Sequence, residues 1–118
     1  MLNIPKTMEA VTLQLPSHKR YQENLDTLLS HLKAYQDKDI IVAPEVFLTS
    51  FDYEHMATAA KFSANALKTL KREVGDQIVV CTLILEEGER FFNQAVVIHK
   101  HKICLLYTSD AADDVSTV

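Results

Sequence analysis

The chain opens on an alternation. From Met8 to Leu15, Val11, Leu13 and Leu15 fall on one side and Ala10, Thr12 and Gln14 on the other, before Pro16 stops the run; this predicts a β-strand. From about Ser17 to Tyr35 the period lengthens, and Tyr21, Leu25, Leu28, Leu29, Leu32 and Tyr35 recur at three- and four-residue spacing. That is an amphipathic helix with Ser17 placed as its cap. Asp39 to Ala43 is apolar without alternation, as a strand buried on both faces should be, and Pro44 ends it. Between Asp52 and Val74 the residues Met56, Ala60, Leu67, Leu70 and Val74 keep helical spacing; Phe62, Ser63 and Asn65 leave room for a break into two shorter helices. Gly75 is placed to cap the C-terminal end. Gln77 to Leu85 is again apolar on both faces, Glu86 to Arg90 around Gly88 reads as a hairpin loop, and Phe91 to His99 returns as a strand. His101 to about Leu106 offers one more.

Strand, helix, strand, helix, strand predicts right-handed crossovers and a parallel sheet carrying an antiparallel edge, in the α/β class. Three of the strands are apolar enough to want cover on both faces, yet only two helical segments are available to supply it. Something further is needed over the second face.

Composition narrows the chemistry. With 118 residues, 47% of them apolar, one domain with a core of its own is the expectation. Only two glycines exist, Gly75 and Gly88, which excludes a Rossmann fingerprint, a Walker loop and a nucleophile elbow. Two cysteines, Cys81 and Cys104, make neither a disulfide framework nor a paired zinc motif. A formal charge of −4 gives no footprint for nucleic acid. No apolar run approaches the roughly 20 residues of a membrane span, and Met1 to Met8 lacks the core of a signal peptide, so a cytoplasmic protein with no membrane partner is expected.

Glu45 is the residue placed for chemistry. In open α/β sheets the ligand crevice lies past the carboxyl ends of the strands, and a carboxylate just after Ile40 to Pro44 would be half walled by hydrocarbon. Burial there would raise its pKa toward the range of a general base. A solvated loop charge or a helix N-terminal charge is the plainer alternative. His99 and His101, two apart on a strand, would share a face but lack a third metal ligand, and Lys68, Lys71 and Arg72 form a solvated basic turn at a helix C-terminus.

The run from Ile40 to Phe51, IIVAPEVFLTSF, resembles the signature around the catalytic glutamate of the nitrilase, or carbon–nitrogen hydrolase, superfamily. Three more landmarks fall in order: Leu13-Gln14-Leu15-Pro16 resembles the end of that family's first strand, Asn24-Leu25 its early Asn-Leu, and Phe92 to Ile98 its Asn-initiated fifth-strand region. The resemblance covers roughly Met8 to Ile103. It implies the amino-terminal half of a four-layer α-β-β-α sandwich and hydrolysis of a non-peptide carbon–nitrogen bond in a small-molecule amide, nitrile or carbamoyl substrate. It also implies a Glu-Lys-Cys triad with no metal and no cofactor, and a full-length protein that assembles as a homo-oligomer. In that triad the glutamate takes the thiol proton, the cysteine attacks carbon and the lysine stabilises the oxyanion.

Only Glu45 maps, as general base, with Phe51 as a substrate-binding residue. A family glycine is replaced by Ser50. The lysine is expected 16 or 17 positions after Asn93, at Ser109 or Asp110, neither of which can serve, and the nucleophile belongs beyond Val118. Cys81, in an apolar run, reads as a core residue and Cys104 is no better placed for attack. Residues 104–118, with three Asp and no Lys or Arg, look like the translation of a sequencing adapter, so the expected organisation is a truncated hydrolase domain over 1–103 and a non-native tail over 104–118. Such a chain is expected to be inactive. The alternative is a non-catalytic small-molecule-binding α/β domain. A signalling receiver domain fits the length and element order, but lacks the acidic pair after the first strand, where Pro16 and Ser17 stand.

Overall fold

The structure is a computed structural model and describes residues 7–110, with side chains as far as Cys104. Strand β1 spans Ala10–Thr12, helix α1 Tyr21–Ala34, β2 Ile40–Val42, a 3-10 turn Tyr53–His55, α2 Met56–Glu73, β3 Ile78–Glu87, β4 Arg90–His99 and β5 Lys102–Asp110. The strands form one sheet in the order β1-β2-β3-β4-β5. The first three are parallel, with Val11 beside Ile41 and Val79, and β3, β4 and β5 are antiparallel neighbours. This is the parallel sheet with an antiparallel edge that the element order predicts.

Both helices pack on one face. Leu25, Leu28 and Leu32 of α1 and Ala66 and Leu70 of α2 share a core with Leu13, Ile41, Val79, Cys81, Leu83, Val96 and Ile98. Alternation along β3 puts Val79, Cys81 and Leu83 under the helices and leaves Ile78, Val80 and Thr82 on the other side. The buried face of α2 is built from small residues, Ala59, Ala60, Ser63 and Ala66, which let the helix approach the sheet closely. Tyr21 and Phe62, ring centroids 5.4 Å apart, join the two helices. The second face of the sheet carries Ile40, Val42, Ile78, Val80 and Val97, all half-buried, and neither helix lies over it. Two layers result, helices over a sheet.

Several local expectations change. Helix α1 starts at Tyr21; its N-terminal cap Arg20 carries no acceptor and makes no side-chain capping bond, and Ser17 is no cap because its hydroxyl donates to the Phe47 carbonyl at 2.7 Å. Helix α2 runs unbroken through Phe62, Ser63 and Asn65, since Ser63 is buried against the sheet and Phe62 against Tyr21. Its C-terminal cap is Val74 in an extended conformation, so Gly75 is no left-handed cap. The left-handed glycine is Gly88, at φ 65, first of the two residues that join β3 to β4, as a tight hairpin turn of primed type requires. The β4–β5 turn is Lys100-His101, both with positive φ, which takes His101 off the strand and separates it from His99. Its amides donate to the Gly75 and Val74 carbonyls at 2.7 and 3.0 Å. Among the described residues no group of three metal-ligating side chains forms, and no helix is long and apolar enough to cross a membrane.

Candidate active site

Glu45 sits where the ladder between β2 and β3 ends. The last bond is Ala43 N–H to the Val80 carbonyl at 2.9 Å; Pro44 has no N–H and takes the chain off the sheet. Glu45 to Thr49 then turn over the strand tips. Beyond Glu45 the turn is buried: Val46, Phe47 and Leu48 are each 2% exposed. Val46 N–H donates to Thr82 Oγ1 at 2.6 Å, and Ser50 N–H closes the turn on the Val46 carbonyl at 2.8 Å. The Glu45 side chain itself is exposed, so the hydrocarbon wall expected around it is not built by the described residues. The turn buries its apolar residues inward and leaves the carboxylate facing out.

A buried asparagine ties this turn to α1. Asn24, fully buried, accepts the His18 N–H on Oδ1 at 2.8 Å, and its Nδ2 donates to the carbonyls of His18 and Leu48 at 2.8 and 2.9 Å. Ser17 Oγ also lies 3.2 Å from that nitrogen. The landmark Asn-Leu pair therefore has two separate jobs: Leu25 fills the core and Asn24 holds the loop that follows Glu45.

Ser50 adopts φ 56, the left-handed region that favours glycine, at the position where the resemblance expects one. Its hydroxyl donates to Ser17 Oγ at 3.1 Å. Phe51 is half-buried against the small cluster of Val46, Ala60 and Ile84 and stacks on Tyr53, centroids 6.0 Å apart.

Next to this loop is a hydrogen-bonded triplet that sequence reading misses. Asp52 accepts a hydrogen bond from the Tyr21 hydroxyl on one oxygen and lies 3.0 Å from His55 Nδ1 with the other. These contacts hold the Asp52 carboxyl below its usual range and raise His55 above its own. Burial, with Asp52 adding to it, pushes the Tyr21 hydroxyl up to about 12. Asp52 and His55 are three residues apart, but Tyr21 comes from α1, so no spacing in the chain announces the triplet as a whole. They line a cleft of about 590 Å³ with Ser17, His18 and Ser50. A larger groove of about 850 Å³ lies at the opposite end of the strands, between Lys33, Gln36, Asp76 and Gln77. Glu45 lines neither.

Cys81 is 4% exposed and burial pushes its thiol up to about 12, which makes it a core residue and a poor nucleophile. Cys104 is exposed, outside the turn that carries Glu45. At the level of backbone register, Ser109 stands opposite Asn93, which stands opposite Ile84.

No family model and no curated protein matches the sequence. Solved structures do match the fold. An amidase of the nitrilase superfamily from Nesterenkonia AN1 superposes with a TM-score of 0.73 at 22% identity, over 89% of this chain and 44% of its own. The glutamine-dependent NAD+ synthetase of Acinetobacter baumannii gives 0.74 at 18%, over 86% and 20%. A carbon–nitrogen hydrolase from Helicobacter pylori G27 gives 0.60 at 16%, over 86% and 39%. The chain thus spans less than half the length of each of these three structures, and at these identities the likeness is one of architecture: the chain carries part of the fold these nitrilase-superfamily structures share.

Proposed function

We propose that the chain is the Glu-bearing part of a carbon–nitrogen hydrolase acting on a small amide, nitrile or carbamoyl substrate, with Glu45 as the general base of a Glu-Lys-Cys triad and Phe51 as a substrate contact. The observation that carries this reading is the placement of Glu45: a carboxylate at the carboxyl end of β2, presented by a buried and hydrogen-bonded turn, in the fold of known amidases. A glutamate-to-leucine mutant of the amidase from Nesterenkonia sp. AN1 shows covalent addition of the acetamide moiety of fluoroacetamide at the active-site cysteine. In the proposed triad a cysteine of this kind is the group whose proton Glu45 takes.

One further observation supports the reading: the apolar second face of the sheet suits the two remaining layers of the sandwich. Among the described residues no lysine pairs with Glu45 and the buried Cys81 is no reactive thiol; the chain is proposed to be inactive, with residues 104–118 a non-native tail.

The test is to sequence the source locus across the codon for Ile103, express the complete frame and measure ammonia release from small amides. The expected result is a frame with a lysine six or seven residues past Ile103 and a cysteine further on, turnover by the complete protein, and loss of at least about a thousandfold in Glu45→Gln, the scale on which a catalytic acid–base group and its nucleophile act together. The 118-residue chain should release none. Turnover by that chain which disappears in Glu45→Gln would overturn the fragment reading, and a genuine stop after Val118 would favour the binding-domain alternative.

A further inference from the structure

Val46 is a β-branched residue held at φ 47. Such a conformation is an outlier for valine and persists only where the surroundings over-determine it. Three restraints do so here. The Val46 N–H donates to Thr82 Oγ1 at 2.6 Å, its carbonyl accepts the Ser50 N–H at 2.8 Å, and its side chain is packed with Ala60 and Ile84. Thr82 is two residues beyond Val80 on β3, and Val80 supplies the last ladder carbonyl, to Ala43. Pro44 takes the chain off the sheet, and a hydroxyl on β3 accepts the Val46 N–H beyond the end of the ladder. Glu45 is thereby suspended between two anchors on one strand, Val80 before it and Thr82 after it.

We infer that Thr82 is a positioning residue for Glu45: its hydroxyl holds the left-handed turn at Val46 and so fixes the direction in which the Glu45 carboxylate leaves the end of β2. The inference rests on the reading of Glu45 as general base. Strain at Val46 is the reason a dedicated acceptor is needed, because an unpinned valine would relax to negative φ and swing the preceding carboxylate with it.

The test uses the 118-residue chain with two hydroxyl-free variants, Thr82→Val, which keeps the side-chain shape, and Thr82→Ala, alongside Thr82→Ser. Hydrogen–deuterium exchange read by mass spectrometry over residues 44–48 should show the Val46 amide exchanging at least about tenfold faster in both hydroxyl-free variants and near the wild-type rate in Thr82→Ser. The backbone order parameter of Glu45, from nitrogen relaxation, should fall from about 0.85 to below about 0.6 in the same two variants and recover in Thr82→Ser. Unchanged Val46 exchange in both variants would overturn the pin. Faster Val46 exchange with Glu45 order unchanged would overturn the positioning role, leaving Thr82 a merely structural contact. If turnover of the complete frame survives Glu45→Gln, it is the general-base reading that fails, and the exchange result stands regardless.

Discussion

At the scale of single residues, chemistry here is decided by what each side chain can reach. Cys81 lies under the helices and its thiol is pushed up to about 12, whereas Cys104 is exposed. A thiol reagent at pH 8 is expected to modify Cys104 within minutes and Cys81 only on unfolding, read as one adduct by intact-mass spectrometry; two adducts on the folded chain would contradict the burial. The Asp52–His55 pair makes a pH prediction. His55 is raised above its ordinary 6.5, so its contribution to stability is complete below that value and is lost as pH rises through the raised one. Asp52 is lowered from 3.8, so its contribution is complete above that value and is lost as pH falls through the lowered one. The pair therefore stabilises most between about pH 4 and 6.5. In Asp52→Asn the His55 titration, followed by proton NMR, should move down toward 6.5, and an unmoved midpoint would dissolve the pair. Asp52 and His55 stand only three residues apart, but Tyr21 lies 31 residues before Asp52, and only the docking of α1 beside the loop completes the triplet, which is why it was not legible in the sequence. Thr82 was hidden for the same reason: in an apolar strand it reads as a half-buried β-former, and its hydroxyl gains a role only because the chain leaves the sheet after Ala43 and turns the Val46 N–H toward it. Glu45, by contrast, was legible from the abrupt change after an apolar run.

At the scale of elements, hydrophobic periodicity recovered every strand and helix the structure describes, because burial of one helix face and of the central strands leaves a direct mark on residue order. Boundaries were lost where side chains had a better partner elsewhere. Ser17 could have capped α1, but the Phe47 carbonyl takes its hydroxyl, and the helix starts four residues later. The two glycines show how little residue type alone says about conformation. Gly88 at φ 65 requires freedom that Gly75 does not use, and a Cβ at Gly75 would meet nothing within 4 Å. Gly88→Ala is expected to lower unfolding stability by about 1 kcal/mol. Gly75→Ala is expected to leave it unchanged or raise it by about 0.5 kcal/mol through the unfolded chain. Urea unfolding of both variants checks the pair, and equal losses would contradict the assignment of the turn to Gly88.

At the scale of the molecule, two helices on one side of a five-stranded sheet leave Ile40, Val42, Ile78, Val80 and Val97 without a helix above them. The sequence carried this shortage in plain sight, as strands apolar on both faces with too few helices to cover them. An apolar face of this kind favours association in water. Sedimentation of the 118-residue chain is expected to show self-association at micromolar concentration that Val80→Lys reduces, because that change places charge on the open face while the helix-side core of Leu28, Leu70 and Val79 stays intact. A monodisperse monomer with a cooperative melt would argue that the face is content in solvent.

The order of the sheet carries a consequence for how such a chain comes to be made. Each strand lies beside the one that precedes it in sequence, from β1 to β5, so no gap is left open for a later segment to fill. A chain emerging from its amino terminus can lay down each strand on a finished neighbour, with α1 and α2 closing over the first three before the β3–β4 hairpin exists. Growth by accretion at a single edge keeps every pairing local to the most recent crossover, and spares the nascent protein the long search that a strand inserted between two earlier ones would impose.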